Sequence, residues 1–183
     1  MDHLKHISEE ELIKGCLQDK RDYQEALYRK YADQMYGVVM TYAKDSEDAA
    51  DILQESFIHV FRKMDTFRFE SPFGGWVRRI VVNKCIEHYR KKVRKREVEV
   101  AQTDTPSEPV RLDGILERIN AHEIVRLVND LPAKAAMVLK LYAIEGYKHS
   151  EIATMLEISE GTSKSQLNRA KSLLKEKLTE ING

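Results

Sequence analysis

Cysteine, proline and long apolar runs are scarce in this chain of 183 residues. Its two cysteines, Cys16 and Cys85, stand far apart and outside any metal-ligand spacing, which suits a reducing cytoplasm. No apolar run approaches the roughly 20 residues that span a bilayer, and the acidic N-terminus lacks the apolar core of a signal peptide. We therefore expect a cytoplasmic protein with no membrane insertion.

Features of an enzyme are also missing. The six histidines are scattered, and the sequence has no glycine-rich phosphate loop and no nucleophile arrangement. We predict that the chain is not an enzyme and that it has no catalytic residues, no cofactor and no bound metal.

Charge is abundant but sorted along the chain, although the net charge is zero. Residues 61–96 carry 12 Lys and Arg against 3 Asp and Glu, a balance of +9. Residues 23–60 carry 3 against 7, a balance of −4, and residues 97–117 carry 1 against 6, a balance of −5. Blocks of opposite sign indicate separate partners, one of them a polyanion.

Hydrophobic spacing predicts an all-α fold of two small helical domains. The first domain covers residues 1–96. In it we expect one helix over residues 25–42, a second that begins after an N-cap at Ser46, and a third over about 75–96. A loop at residues 66–75 would precede the third helix. Residues 97–114 contain Pro106, Pro109 and mostly acidic charge, which predicts a flexible acidic linker. Residues 115–183 would form the second domain, with helices over 115–129 and 133–144 before a final pair.

The final pair resembles a helix-turn-helix. Residues 149–158 form a short amphipathic pattern, Ser159, Glu160 and Gly161 follow as a turn, and a basic helix covers residues 162–178. The pattern predicts that Leu167, Ala170, Leu174 and Leu178 are buried. Hydrogen-bonding side chains suited to base edges and phosphates occupy the rest of the first turns: Lys164, Ser165, Gln166, Asn168 and Arg169. The alternative is a solvated face of an ordinary bundle helix.

A basic segment follows an aromatic loop in the first domain. The loop at residues 68–75 could receive an extruded base, and the helix beyond it could hold a phosphate backbone. The candidate residues for a single DNA strand are Phe69, Phe73, Trp76, Arg79, Asn83, Lys84, Glu87 and Arg90. The alternative is that the aromatic side chains belong to the core and that the charges are merely solvated.

An acidic strip precedes this segment. Asp48, Asp51, Gln54 and Glu55 share one side of a helix and could dock a basic protein helix. Plain solubility is the main alternative. A metal site has little support, because Glu55 and His59 are the only nearby pair at ligand spacing.

Taken in order, these segments resemble bacterial sigma factors of the extracytoplasmic-function type, over almost the whole chain. Residues 48–67 (DAADILQESFIHVFRKMDTF) resemble region 2.2, and residues 69–92 (FESPFGGWVRRIVVNKCIEHYRKK) resemble regions 2.3 and 2.4. Residues 131–174, from LPAKAAM to AKSLL, resemble region 4. Gly75, Glu87, Gln166 and Asn168 depart from the residues usual in the family, so the promoter sequence does not carry over.

The resemblance implies a sigma factor that binds core RNA polymerase and directs promoter recognition. By that resemblance, the acidic strip docks on the β′ clamp helices, the second domain meets the β flap and the −35 element, and the aromatic and basic segment opens the −10 element. It also implies an anti-sigma factor as a partner. The rival hypothesis is a stand-alone helix-turn-helix regulator that binds a duplex operator.

Overall fold

The computed structural model describes residues 7–97 and 126–182, with side chains over 7–94 and 126–179. Those residues are mostly helical and include no strand, which confirms the predicted all-α fold. Contacts divide the chain into two compact units, Met1–Val93 and Arg94–Gly183. The predicted linker beyond residue 97 and the start of the predicted second domain lie outside the described residues.

Over residues 7–97, the structure has four α-helices: α1 (Glu9–Leu17), α2 (Arg21–Met40), α3 (Ser46–Arg62) and α4 (Phe73–Glu97). A short 3-10 turn, Met64–Thr66, follows α3. The core comprises the apolar faces of these helices, among them Leu27, Met35, Leu53, Val77 and Val81. Burial raises the pKa of the Cys16 thiol to about 11, so this cysteine stays protonated and packs as an apolar residue.

Helix α1 was not anticipated from the sequence. Ser8 and Glu11 form a capping box at its start, in which Ser8 Oγ accepts from the Glu11 amide at 3.2 Å and Glu11 accepts from the Ser8 amide at 3.1 Å. Leu12, Ile13 and Cys16 are buried on one face, at the spacing of a helix. The serine followed by glutamate at the third position was the signal that could have predicted this helix.

The other helix starts differ slightly from expectation. The N-cap of α3 is Asp45 rather than Ser46, because the Asp45 carboxylate accepts from the Asp48 amide at 2.9 Å. Helix α4 begins at Phe73, within the predicted loop. Phe73 is almost fully buried there, so burial of the ring extends the helix toward the loop.

The second unit contains α5 (Ala133–Leu139), which continues as a π-helix (Lys140–Ile144), then α6 (His149–Leu156) and α7 (Glu160–Asn182). Helix α7 packs on both α5 and α6. The predicted burial of Leu167, Ala170, Leu174 and Leu178 is confirmed. Within the two described stretches, no helix is long and apolar enough to cross a membrane.

The turn between α6 and α7 is earlier than predicted. Gly161 lies inside α7, and the left-handed residue of the turn is Glu157, with φ +57°. Ser159 closes the turn by accepting from the Thr162 amide at 3.0 Å. Glycine adopts this left-handed conformation more readily than glutamate does. For that reason the sequence predicts the turn at Gly161 rather than at Glu157.

Candidate nucleic-acid and protein interfaces

The acidic face of α3 is largely open to solvent. Asp51, Gln54 and Glu55 are exposed, while Leu53 and Phe57 on the other side of the helix are buried. Ile58 extends the same face by one turn and is 45% exposed. We call Asp51, Gln54, Glu55 and Ile58 the α3 face. An apolar side chain among exposed polar ones is the usual composition of a protein interface.

Asp48, the fourth residue of the predicted acidic strip, is engaged within its own unit. Its carboxylate is 2.5 Å from Lys92 Nζ and 3.7 Å from His88 Nε2, both on α4. The hydrogen bond from Lys92 lowers the pKa of Asp48, with further help from the charges of Lys92 and His88. Asp48 therefore ties α3 to α4, and a role in polymerase docking stays a prediction.

Helix α4 presents one polar stripe. Arg79, Asn83 and Glu87 are exposed at spacings of four residues, and Trp76 and Arg90 are half-buried near the same line. Lys84 Nζ lies 2.6 Å from Glu87 Oε2, so Lys84 is partly neutralised by its neighbour on the helix. Arg79 and Asn83 thus combine a cation with an amide on an accessible surface, which suits phosphate and base contacts.

The aromatic residues divide into one exposed ring and a support beneath it. Phe69 is 52% exposed and has a left-handed backbone, φ +58°. Its ring contacts Phe67 at 4.8 Å between centroids, and Phe67 in turn contacts Phe73 at 5.1 Å and Trp76 at 5.4 Å. Phe67, Phe69, Phe73 and Trp76 are called the aromatic cluster below.

Phe73 does not fit its predicted place on a DNA-binding surface. Its side chain is 1% exposed and is enclosed by Tyr31, Phe67 and Trp76. A ring without accessible faces cannot stack on a base. Phe73 therefore packs in the core of the first unit, and a direct contact with DNA stays a prediction.

The start of α7 presents a mixed polar surface. Lys164 is exposed, and Ser165, Asn168 and Arg169 are partly exposed, with Ser165 Oγ donating to the Thr162 carbonyl at 3.0 Å. Gln166 is different, because it is 3% exposed. It lies four residues before the buried Ala170 and three after the buried Ser163, so it belongs to the packed stripe of the helix. Gln166 is therefore packed in the free protein, and a role in reading bases stays a prediction.

His149, the first residue of α6, was overlooked in the sequence. Its ring stacks on Tyr142 at 4.7 Å between centroids and 19° between planes. Its Nδ1 forms a 2.9 Å hydrogen bond with the hydroxyl of Ser163, which is fully buried in α7. Burial, followed by the charge of Lys164, lowers the pKa of His149. The imidazole thus joins the π-helix, α6 and α7 at the base of the helix-turn-helix.

No metal-binding group is evident in the parts of the chain that the structure describes: they hold no cluster of three or more His, Cys, Asp or Glu residues able to bind an ion. Glu55 and His59, the one pair at ligand spacing, therefore have no third ligand among those residues. Burial, followed by the charges of Lys84 and Lys63, lowers the pKa of His59.

Comparison with known proteins gives consistent matches. Residues 27–95 match the family model for Sigma-70 region 2, and residues 121–174 match that for Sigma-70 region 4. The ECF RNA polymerase sigma factor SigM of Mycobacterium tuberculosis is 28% identical over 177 residues, which cover 96% of this chain and 87% of SigM. The ECF RNA polymerase sigma-E factor of Haemophilus influenzae is 25% identical over 187 residues, which cover 94% of this chain and 96% of the sigma-E factor.

A solved structure shares the fold. The sigma factor RpoE of Bartonella quintana, crystallised with the anti-sigma factor NepR, aligns with a TM-score of 0.51 at 19% identity, covering 87% of this chain and 98% of RpoE. The two matched regions occur in the order that the sequence predicted and account for more than half of the chain. The chain therefore belongs to the sigma-70 family, in its extracytoplasmic-function group of RNA polymerase sigma factors.

Proposed function

We propose that this sigma factor binds core RNA polymerase and directs it to promoters through three separate surfaces: the α3 face, the α4 stripe with its aromatic cluster, and the start of α7. The observation that carries the proposal is that both matched regions expose side chains suited to such partners: an acidic face on α3 in region 2, and Lys164 with Arg169 near the start of α7 in region 4. As a transcription initiation factor it carries no catalytic step of its own.

The α3 face is proposed to dock on the β′ clamp helices. Asp51 and Glu55 supply negative charge for a basic partner helix, and Gln54 supplies an amide between them. Ile58 would be the apolar centre, since exposed apolar side chains flanked by charge gain most from being covered. Asp48 would hold α3 against α4 through Lys92 rather than contribute to docking.

The α4 stripe and the aromatic cluster are proposed to hold the opened −10 strand. Opening costs on the order of 1.4 kcal/mol per base-pair step. A base stacked on an aromatic ring returns roughly 1–3 kcal/mol. Phe69 and Trp76 are the accessible rings, and Arg79, Asn83 and Arg90 lie along the adjoining helix for the backbone. Lys84 and Glu87, which pair with each other, would set the charge of this surface.

The start of α7 is proposed to read the −35 element as duplex DNA. Lys164 reaches solvent for a phosphate, whereas Ser165, Asn168 and Arg169 are the candidates for base edges. Gln166 is not assigned here because its side chain is packed in the free protein.

Two further partners are proposed. The second unit would bind the β flap of the polymerase. An anti-sigma factor would bind the free protein, as NepR binds the Bartonella sigma factor RpoE. The site of action would be the bacterial cytoplasm, where the polymerase and the chromosome are.

Run-off transcription with purified core polymerase tests the proposal. Promoter-dependent product is expected only when the chain, core and cognate DNA are combined. Absence of that product would reject the function. A gel shift without core tests the rival hypothesis, because tight binding to duplex DNA by the free chain is what a stand-alone regulator requires.

The −35 assignment is tested in the same assay with point variants. Arg169→Ala is expected to cost about 1–3 kcal/mol, and to do so only on promoters that carry the base it reads. Lys175→Ala, an exposed lysine farther along α7, is the matched control and should change little. Equal weakening on every −35 sequence would make Arg169 a phosphate contact instead.

A further inference from the structure

Tyr31 connects the N-terminal helix to the loop that carries Phe69. It lies on α2 and is 7% exposed. Its hydroxyl donates a short hydrogen bond to the carboxylate of Glu9, the first residue of α1, and Lys30 Nζ lies 3.1 Å from the same carboxylate. Burial alone would raise the pKa of Glu9, but the bonds from Tyr31 and Lys30 outweigh it and lower that pKa, so Glu9 remains an ionised acceptor.

The other side of the Tyr31 ring supports the start of α4. Its centroid is 5.6 Å from that of Phe73, in an edge-to-face arrangement. A β-carbon on Gly74 would lie 3.0 Å from Tyr31 Cε1, so the ring packs against the backbone of Gly74. By contrast, a β-carbon on Gly75 would meet nothing within 4 Å. The tight fit thus belongs to the position that faces Tyr31.

Support of this kind matters because of the backbone of Phe69. A non-glycine residue at φ +58° is strained and persists only where its surroundings fix it. The surroundings of Phe69 are the ring of Phe67, which rests on Phe73, which in turn rests on Tyr31. A continuous path of side-chain contacts therefore runs from Glu9 to the most exposed ring of the aromatic cluster.

We propose that Tyr31 is a positioning residue for base capture: anchored by Glu9, it holds Phe73 and Gly74 so that Phe69 and Trp76 present a fixed site to one base of the opened −10 strand. Helix α1 then contributes to promoter opening without touching DNA. This inference rests on the proposed function of the aromatic cluster.

Holoenzyme binding to a single-stranded −10 oligonucleotide tests the inference. An abasic site is moved along the strand, and the position at which it lowers the affinity of the wild-type holoenzyme marks the captured base. Tyr31→Phe keeps the ring but removes the hydroxyl. It is expected to weaken binding of the intact oligonucleotide about three- to tenfold, because the ring loses its anchor to Glu9. The penalty at the marked position should shrink accordingly.

Two comparisons separate positioning from general damage. Glu9→Ala should reproduce the effect, and the double variant should add little, because both changes break one link. Tyr28→Phe, on an exposed tyrosine of the same helix, should leave binding unchanged. Core affinity and −35 duplex binding are measured for each variant and should not change, whereas strand capture should fall severalfold. Thermal melting checks that each variant is folded at the assay temperature, since loss of the Tyr31 hydrogen bond lowers stability modestly.

Three results would overturn the inference: a full abasic penalty in Tyr31→Phe, an equal loss at every position of the strand, or additive effects of Tyr31→Phe and Glu9→Ala. Each of these leaves the proposed function intact, because the wild-type holoenzyme still marks a captured base. A wild-type holoenzyme that shows no marked position at all would instead reject base capture by the aromatic cluster, and the role of Tyr31 with it.

Discussion

Gly15 and Gly37 both lie inside helices, and they differ in what surrounds them. A β-carbon on Gly15 would lie 2.1 Å from the ring of Tyr23, whereas one on Gly37 would meet nothing within 4 Å. Alanine is favoured over glycine in a helix by about 0.8–1.0 kcal/mol. We therefore expect Gly37→Ala to raise the free energy of unfolding by about 1 kcal/mol, and Gly15→Ala to lower it because Tyr23 must move.

Chemical denaturation of the full chain measures both variants, and each serves as the control for the other. The propensity gain is the same for both positions, so the difference between them isolates the contact between α1 and Tyr23. A stabilised Gly15→Ala variant would mean that the ring swings aside at little cost. In that case, α1 would be packed more loosely than its buried residues indicate.

At the same scale, Gln166 and Phe73 show what a sequence leaves open. Both residue types are common on DNA-binding surfaces, yet both side chains are buried here. Gln166 stands four residues before the apolar Ala170, a helical spacing that predicts burial. Its amide chemistry instead predicts a base contact, so the sequence supports both interpretations. Phe73 likewise stands four residues before the buried Val77, but it fell within the predicted loop, and its contact with Tyr31 joins residues distant along the chain.

At the scale of elements, Asp48 and Asp51 lie on the same helix with different surroundings. Asp48 bonds to Lys92 on α4, whereas Asp51 is exposed. Asp51→Ala is therefore expected to weaken binding to core polymerase while the fold stays intact. Asp48→Asn is expected to leave core affinity nearly unchanged and to cost about 0.2–1 kcal/mol of stability, as is typical of partly exposed ion pairs.

Charge reversal provides the control for Asp48. Lys92→Asp alone should destabilise the first unit, because it places two carboxylates together. Combining it with Asp48→Lys should recover most of that loss by restoring the pair in the opposite sense. Core affinity is measured by titration with labelled core, and stability is measured by thermal melting. A large loss of core affinity in Asp48→Asn would return Asp48 to the docking surface.

His149 makes the contact between α6 and α7 sensitive to pH. Burial and the charges of Lys164 and Lys171 lower its pKa below the ordinary value of 6.5, although Glu160 acts in the opposite direction. In the unfolded chain the imidazole regains its ordinary pKa and binds a proton more readily than in the folded protein. The free energy of unfolding is therefore expected to fall as the pH drops through about 6.5, and to level off below the folded-state pKa.

Thermal melting of the wild type and of His149→Gln between pH 8 and 5 measures this effect. Glutamine does not titrate, so the difference between the two curves isolates His149 from the other histidines. The difference should change below a pH of roughly 6.5. A difference that is constant across the range would show that the imidazole has the same pKa in both states.

The helix-turn-helix itself was predictable from its sequence pattern, but its joints were not. Periodicity of the apolar residues gave α6 and the buried stripe of α7. The turn at Glu157 and the link from His149 to Ser163 depend on backbone conformation and on a polar contact between helices. Neither feature produces a repeating pattern of apolar residues in the sequence. The same is true of the ion pair by which Asp48 links α3 to α4. Patterns along the chain report burial, whereas such links require knowledge of which helices meet.

At the scale of the whole molecule, charge is the property that only the complete chain reveals. The net charge is zero, yet the region rich in aromatic and basic residues has a balance of +9. Acidic residues elsewhere, including those of residues 97–117, compensate for it. Because affinity for a phosphate backbone depends on charge and on salt, this balance should restrain binding of the free protein to DNA of any sequence.

Neutralising the six acidic residues within 97–117 to Asn and Gln tests this idea. The change moves the net charge of the chain from 0 to +6. The free variant should bind random duplex DNA more tightly than the wild type at low salt. This gain in affinity should shrink as the salt concentration rises, because at 0.15 M charges are screened over a Debye length of about 8 Å. A variant with residues 97–117 shuffled keeps the charge and should bind as the wild type does. If the neutralised chain gains no affinity, or the shuffled one gains as much, restraint by net charge is excluded and the acidic segment must act through its order of residues.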